Sequence, residues 1–169
     1  GNNTKHFCRG KISLGDRLYH CWKNNGHGLM NVSDAIKESC DVFFYEISKK
    51  IGIDKIAKVA EDFGLGKIYD VPLPNQKKGI IPSRDWKKKK YDESWYPGET
   101  LISAIGQGFV LTTPLQLAVM TSIIASNGKN IKPNIIKQNN DIEFEQLEKY
   151  QNAIKIIKSS MFKVVNESK

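Results

Sequence analysis

The sequence has 169 residues, of which 40% are hydrophobic and 26% are charged, and these proportions are typical of one globular domain. No apolar run approaches the roughly 18 residues that a membrane span requires. If the protein works outside the cytoplasm, we expect its targeting segment to lie upstream of this chain. The net charge of +8 favours an anionic partner, but 23 Lys against three Arg argue against sequence-specific DNA reading, which relies on bidentate Arg contacts.

The first predicted helices follow a segment without periodicity. Residues 1–31 are rich in Gly, Asn, His and Cys, and they predict an irregular loop that something must fix in place. Ser33 has the character of an N-cap, and Gly52 that of a C-cap, for a helical segment with apolar residues at three- to four-residue spacing. A break near Ser39 and Cys40 would divide this segment into two short helices.

The middle of the chain alternates between a helix and a long loop. A helix is predicted from Asp54 to Gly64, with a buried face formed by Ile56, Val59, Ala60 and Phe63. Residues 64–99 are rich in Pro, Gly and Lys with little periodicity, which indicates a long loop of the kind that is usually functional or mobile.

The last third of the chain returns to helical patterns. Thr113 and Pro114 occupy the N-cap and first position of a strongly apolar helix that ends at Gly128. Residues 130–137 are a candidate for a short strand, and residues 143–165 predict a closing helix. The sequence therefore predicts a mainly α-helical fold with long irregular loops and little or no sheet.

Ser39 and Asp41 lie two residues apart at the predicted helix break. Both residue types accept hydrogen bonds from free amides at helix starts, so a capping pair would explain them without any chemistry. As a nucleophilic pair they are incomplete, because the histidines at 6, 20 and 27 are not local. On the residues alone, the capping interpretation is favoured and the chemical one stays open.

Three cysteines and a histidine form a second candidate cluster. Cys8, Cys21 and Cys40 are an odd number, so a disulfide framework would leave one thiol over. With His27 they could bind zinc, and His6 and His20 are rival fourth ligands, but the long spacings favour buried or free thiols. In favour of a metal, it would fix the loop over residues 1–31, which lacks a core of its own.

Several segments together resemble a known family in their order and spacing: "GHGLMNVSDAIKESCD", "SCDVFFYE", "FGLG", "GIIPSRDW", "WYPGETLISAIGQG" and "TTPLQLAVMTSIIASNGK". They resemble the transpeptidase domain of penicillin-binding proteins, in particular the class B, monofunctional, cell-elongation type known as penicillin-binding protein 2. The resemblance covers nearly the whole chain. It implies a helical subdomain of a penicillin-binding or serine β-lactamase-like domain, which cross-links peptidoglycan stem peptides through an acyl-serine and is acylated by β-lactams.

The resemblance assigns roles to the residues at the helix break. Ser39-Cys40-Asp41 matches the second motif of the family, Ser-x-Asn/Asp. Ser39 would then pass protons between the lysine of the first motif and the leaving amine. Asp41 would hydrogen-bond the substrate backbone or position the neighbouring catalytic lysine.

The other two motifs of the family have no convincing match. Ser-x-x-Lys occurs at Ser126–Lys129 and Ser160–Lys163, at a frequency that chance explains, and both follow Ser39 whereas the family places its nucleophile earlier. No Lys-Thr/Ser-Gly is present. We therefore expect residues 1–169 to be a partial transpeptidase domain, a middle segment that is inactive alone.

The resemblance also favours a metal site. Some elongation-type members carry acidic residues at two ligand positions and bind zinc beside the active site. Matching "CRG", "HCW", "GHG" and "SCD" carries the ligands onto Cys8, Cys21, His27 and Cys40. This Cys₃His set implies a structural Zn²⁺ ion, which would explain thiols without a disulfide in an oxidising compartment.

The same resemblance implies partners and a location. Peptidoglycan stem peptides, β-lactams and membrane proteins of the elongation machinery are the expected partners, and no nucleic acid is expected. The expected location is the periplasmic face of the bacterial inner membrane, with the parent protein anchored by a segment outside this chain. The alternatives are a non-catalytic, zinc-stabilised helical module that binds a protein, and a lysine-rich nucleic-acid binder.

Overall fold

A computed structural model describes residues 4–136 and 145–167, and this part of the chain is mainly helical, as predicted. The strands are β1 (His6–Cys8), β2 (Lys11–Leu14), β3 (Arg17–His20) and β4 (Gly28–Met30). The helices are α1 (Val32–Lys37), α2 (Asp41–Ile51), α3 (Ile53–Asp62), α4 (Arg84–Tyr91), α5 (Pro97–Ala104), α6 (Pro114–Ala125) and α7 (Gln151–Asn166), the last preceded by a 3-10 helix, Glu148–Tyr150. Within these ranges, none of the helices has both the length and the hydropathy to cross a membrane.

The N-terminal segment contains two small antiparallel sheets, so the prediction of an irregular loop was wrong over residues 6–20 and 28–30, whereas residues 21–27 are irregular. β1 pairs with β4, and β2 pairs with β3. The β2–β3 hairpin closes through the two-residue loop Gly15-Asp16, in which Gly15 has a φ of 57°. Strands of three or four residues are too short for their alternation to be detected, although Gly-Asp is a hairpin signal.

The predicted break in the first helical segment is confirmed, because α1 ends at Lys37 and α2 begins at Asp41. The N-cap of α1 is Asn31 and not Ser33, since the Asn31 side chain accepts the Asp34 amide at 3.0 Å. Gly52 ends α2 with a φ of 78°, as predicted, and it also precedes α3.

Helix α3 lies close to its predicted bounds and buries most of the predicted face, because Phe63 is buried and Ile56 and Ala60 are partly buried. The prediction was wrong for Val59, which is 42% exposed, and it missed Ile53 and Ala57, which are buried. The long loop predicted over residues 64–99 was wrong in part, because it contains α4 and the start of α5.

A buried lysine joins α4 to α5. Lys87 is only 2% exposed, and its ammonium pairs with Glu99 and lies 4.2 Å from the Tyr96 ring centroid. Ser83 caps α4 by accepting the Trp86 amide at 3.1 Å. The cap is a local contact, whereas the pairing of Lys87 with Glu99 joins residues 12 positions apart, and hydrophobic periodicity does not account for this lysine-rich helix.

The C-terminal third agrees with its helix predictions. Thr113 caps α6 and Pro114 is its first residue, although α6 ends at Ala125 and not at Gly128. The strand predicted over residues 130–137 is absent from its described part, residues 130–136, and Lys137 lies outside the described residues. Helix α7 is the predicted closing helix but begins at Gln151, later than predicted, because residues 145–147 are not helical; residues 143 and 144 lie outside the described part.

Two clusters of buried side chains form the core. The first packs the β1–β4 region against α1, α2 and α5 and contains Cys8, Cys21, Met30, Ala35, Cys40, Val42, Phe43, Tyr45 and Leu101. The second lies among α3, α6 and α7 and contains Phe63, Val119, Ile123 and Ile154. Because all three cysteines belong to the first cluster, the candidate metal site is part of the core beneath the α1–α2 break.

Candidate active-site turn and metal centre

The four predicted metal ligands lie together. One donor atom each from Cys8, Cys21, His27 and Cys40 falls within 4.8 Å of the other three. His27 Nδ1 lies 3.6 Å from Cys8 Sγ and 3.5 Å from Cys21 Sγ. Tetrahedral zinc, with bonds of about 2.3 Å to sulfur and about 2.0 Å to nitrogen, would separate such ligands by about 3.5 Å. The donor set and its spacing therefore fit a zinc ion.

Four different elements supply these ligands. Cys8 ends β1, Cys21 follows β3, His27 precedes β4, and Cys40 is the N-cap of α2. Gly26, with a φ of 77°, brings the loop before His27 against β1, since a Cβ there would lie 2.1 Å from the Cys8 carbonyl oxygen. A bound metal would cross-link the two small sheets to the start of α2.

The burial of the cluster means that Cys40 can form a thiolate at neutral pH only if a cation is bound beside it. All three thiols are unpaired by disulfides and at most 3% exposed. Burial, and secondarily the neighbouring thiol of Cys8, raises the pKa of Cys40 to about 12. Burial and then the charge of Lys23 lower the pKa of His27, which favours the neutral imidazole that binds metals. Without a cation the Cys40 thiol would remain protonated at neutral pH.

The rival histidines do not join this cluster. His6 lies edge-on to Phe43, with ring centroids 5.8 Å apart. His20, at the end of β3, is exposed. Among the described residues, the structure thus groups His27 and neither rival with the cysteines.

Ser39 occupies a strained position in the turn between α1 and α2. The Cys40 amide donates to the Ala35 carbonyl at 2.9 Å, and the Ser39 amide donates to the Ile36 carbonyl at 3.3 Å. This is the hydrogen-bond pattern of a Schellman motif, which places Ser39 at the left-handed position usually held by glycine. Ser39 has a φ of 50°, and strain of this kind is concentrated at functional sites.

Asp41 makes a contact that sequence reasoning did not predict. Its Oδ2 accepts the backbone amide of Trp22 at 3.0 Å, while the Trp22 indole N–H donates to the Glu38 carbonyl at 2.9 Å. Trp22 therefore bonds to residues on both sides of Ser39. The signal in the sequence was its place directly after the candidate ligand Cys21.

Neither serine of the two literal Ser-x-x-Lys matches is arranged as a nucleophile. Ser160 is fully buried on α7, and its hydroxyl donates to the Ile156 carbonyl at 2.7 Å. Ser126 is the C-cap of α6, and its hydroxyl donates to the Ile123 carbonyl at 3.2 Å. Both hydroxyls bond to the backbone of their own helix.

Comparison with known proteins identifies the class of domain that contains this helical lobe and its Ser-x-Asp turn. Residues 1–169 match the family of the penicillin-binding protein transpeptidase domain. The chain belongs to this family, and the resemblance drawn from its motifs is confirmed.

Named relatives narrow the comparison to one kind of D,D-transpeptidase, MrdA. The peptidoglycan D,D-transpeptidase MrdA of Salmonella typhimurium (strain SL1344) is 39% identical over 120 residues, which cover 71% of this chain and 19% of that protein. MrdA of Haemophilus influenzae is 36% identical over 138 residues, covering 82% of this chain and 21% of that protein. The chain thus spans about a fifth of the length of these curated relatives.

Solved structures that resemble this chain also include penicillin-binding proteins. Penicillin-binding protein 2 (PBP2) of Helicobacter pylori, in complex with MreC, aligns with a TM-score of 0.91 and 35% identity over 99% of this chain and 32% of its own. Pseudomonas aeruginosa PBP2, in complex with WCK 5153, aligns with a TM-score of 0.85 and 31% identity over 99% of this chain and 40% of its own. These matches confirm the predicted fold class.

Proposed function

We propose that this chain is part of a peptidoglycan D,D-transpeptidase, which cross-links stem peptides through an acyl-serine intermediate and is acylated by β-lactams. The observation that carries the proposal is the Ser39 turn, in which a serine takes a strained position at a helix junction. The match of the whole chain to the transpeptidase family supports it.

In the proposed mechanism, Ser39 relays a proton. The lysine of the Ser-x-x-Lys motif takes the proton of the nucleophilic serine as that serine attacks the D-Ala-D-Ala carbonyl carbon. The Ser39 hydroxyl accepts a proton from this lysine and gives its own to the amine nitrogen as the peptide C–N bond breaks. Asp41 holds the turn through the Trp22 amide, which supports a positioning role for its carboxylate.

The remaining motifs would come from other parts of the protein. Residues 1–169 contain no Lys-Thr/Ser-Gly, and their two Ser-x-x-Lys matches are bonded within helices. We therefore assign residues 1–169 as a partial transpeptidase domain, its helical lobe, which needs the nucleophile and the Lys-Thr/Ser-Gly strand to act.

The metal assigned to the Cys₃His cluster is a structural Zn²⁺ held by Cys8, Cys21, His27 and Cys40. The cation would keep the buried thiols ionised and would link three strands to α2. Because Cys40 directly follows Ser39, fixing Cys40 also limits the conformations of the turn.

The partners and the location are proposed on the strength of the relatives. One H. pylori structure contains PBP2 with MreC, so membrane proteins of the elongation machinery are the proposed protein partners, beside stem peptides and β-lactams. The proposed location is the periplasmic face of the bacterial inner membrane. A nucleic-acid partner is not proposed, because the surplus of lysine over arginine lacks a base-reading pattern.

Acylation of the full-length protein by a fluorescent penicillin tests the function. We expect wild type to be labelled, Ser39→Ala to be labelled about 10²- to 10⁴-fold more slowly, and Ser126→Ala to match wild type. Residues 1–169 alone should remain unlabelled. Wild-type labelling of Ser39→Ala would contradict the relay, and an unlabelled wild type would contradict the function.

One surface favours the alternative of a zinc-stabilised module that binds a protein. The C-terminal half of α7 exposes Phe162 by 66% and Val165 by 83%, and exposed apolar side chains of this kind mark contact surfaces. An unlabelled full-length protein that still binds a partner through α7, and loses it on Phe162→Asp, would favour this module.

A further inference from the structure

Trp22 is tied to the Ser39 turn at two points. Its indole N–H reaches the Glu38 carbonyl at 2.9 Å, and its backbone amide reaches Asp41 Oδ2 at 3.0 Å. Glu38 and Asp41 enclose Ser39 and Cys40 in the sequence, so the two bonds span the turn that carries the proposed relay. The Trp22 ring also lies edge-on to His27, with centroids 5.2 Å apart.

The indole bond supplies a partner that the helix end lacks. Glu38 is the C-cap of α1, and the last carbonyls of a helix find no N–H donor within it. The Trp22 N–H satisfies one of these carbonyls at the residue before Ser39. It therefore fixes the plane of the peptide that leads into Ser39, and with it the direction of the serine side chain.

Burial does not explain the position of Trp22. The side chain is 55% exposed, so the hydrophobic contribution of this indole to folding is well below that of a buried one. Trp22 is an exposed aromatic residue whose indole donates a directed hydrogen bond across a strained turn. It therefore contributes more to the conformation of the turn than to the stability of the core. Substitution there should disturb the turn while leaving the fold intact.

We propose that Trp22 is a positioning residue for the reaction assigned to this protein: its indole N–H holds the α1–α2 turn so that the Ser39 hydroxyl stays aligned for proton transfer. The inference rests on the proposed function. Through its contact with His27, Trp22 also links the alignment of the turn to the metal centre.

The test compares Trp22→Phe with Trp95→Phe in the full-length protein. Both substitutions keep an aromatic ring and delete one indole bond, since Trp95 Nε1–H donates to Thr100 Oγ1 at 2.8 Å outside the turn. We expect Trp22→Phe to lower the acylation rate constant at saturating fluorescent penicillin about five- to tenfold. The half-saturating concentration, zinc content and thermal midpoint should match those of Trp95→Phe. Equal saturating rates for the two variants would overturn the inference.

A second measurement does not depend on activity. Hydrogen exchange followed by mass spectrometry should show faster exchange of the Ser39 and Cys40 amides in Trp22→Phe, at least about fivefold, because both amides are bonded within the turn. The Gly52 amide, bonded to the Ser48 carbonyl at 2.9 Å, is the internal control. Unchanged exchange at Ser39 and Cys40 would overturn the inference, whereas a wild type that is never acylated would refute the proposed function and, with it, the alignment role.

Discussion

The Cys40 amide donates to the carbonyl of Ala35 at 2.9 Å, and this bond closes α1 while Ser39 is held in the left-handed conformation. The same residue, Cys40, contributes its thiol to the buried Cys₃His cluster. A single peptide unit thus joins a strained serine to a candidate metal ligand. The stability of the turn and the occupancy of the metal site should therefore be coupled.

Replacing the strained serine by glycine should stabilise the fold. A side chain in the left-handed region costs about 1 kcal/mol, so we expect Ser39→Gly to raise the free energy of unfolding by up to about 1 kcal/mol. Ser39→Ala keeps the Cβ and should leave the free energy of unfolding within about 0.5 kcal/mol of wild type. Denaturant unfolding of the zinc-loaded protein measures both. A Ser39→Gly protein less stable than Ser39→Ala would show that the turn is not strained.

Removal of the metal should destabilise the N-terminal half. The purified protein should contain one zinc ion per chain. We expect His27→Ala to lower the zinc affinity at least about 100-fold, because the loss of a residue that only orients a ligand already lowers metal affinity about 10- to 100-fold. His20→Ala is the matched control, because His20 is exposed and outside the cluster. Competition with a chromogenic chelator measures the affinity.

A titration of the thiols tests the same site by measuring whether the cysteines are free to react when the metal is bound and when it is removed. The three cysteines should be unreactive in the zinc-loaded protein and become reactive after chelation, because burial and metal bonds both suppress thiolate attack. Less than one zinc per chain, together with three thiols that react freely in the folded protein, would rule out the tetrahedral site.

Local signals were sufficient for some elements of this fold. The glycine that ends α2, Gly52, and the Thr113-Pro114 start of α6 are set by backbone rules that act within a few residues. The broken helix at Ser39 was visible for the same reason. Helix α4 was missed because contacts between distant residues stabilise it, above all the pairing of Lys87 with Glu99.

The candidate site, like the fold, was predictable from the sequence in part only. The family resemblance, and not the spacing alone, singled out Ser39, Asp41 and the four ligands, but it did not show that three of the ligands lie in or beside two small sheets. The role of Trp22 depends on bonds across 16 and 19 residues, to Glu38 and Asp41. Its place after the candidate ligand Cys21 marks Trp22 in the sequence, but no local pattern encodes contacts at such separations, so the contacts themselves emerge only from the structure.

A buried amide should be essential to the packing of α6. Gln116 is fully buried, accepts the Gly66 amide at 3.2 Å, and donates to the carbonyls of Lys67 and Lys78 at 2.7 and 2.9 Å. Gln116→Ala would leave three backbone groups without partners, at about 1–3 kcal/mol each, so we expect a loss of at least about 3 kcal/mol in unfolding free energy.

Gln107→Ala is the matched control for this substitution. Gln107 lies exposed in the turn after α5, and its removal should change the unfolding free energy by less than about 0.5 kcal/mol. Denaturant unfolding compares the two variants. Similar losses for both would show that water replaces the Gln116 bonds without cost.

Acid should weaken the attachment of α7 through Asp62. Its carboxylate accepts bonds from Lys149 and from the Tyr150 hydroxyl, both at 2.7 Å, and these bonds hold the pKa of Asp62 well below its usual range. A lowered pKa means that the stabilisation is complete above the unfolded value of about 4 and is lost as the pH falls towards the folded value.

We therefore expect wild type to lose stability more steeply below pH 4 than Asp62→Asn, which lacks the titrating group. The difference at neutral pH should be about 1 kcal/mol, because Lys149 is largely exposed and its pairing is screened. Loss of zinc in acid affects both proteins alike, so the difference between their unfolding free energies isolates Asp62. Asp92→Asn, whose carboxylate is 90% exposed, should show no such difference, and parallel curves for wild type and Asp62→Asn would contradict the assignment.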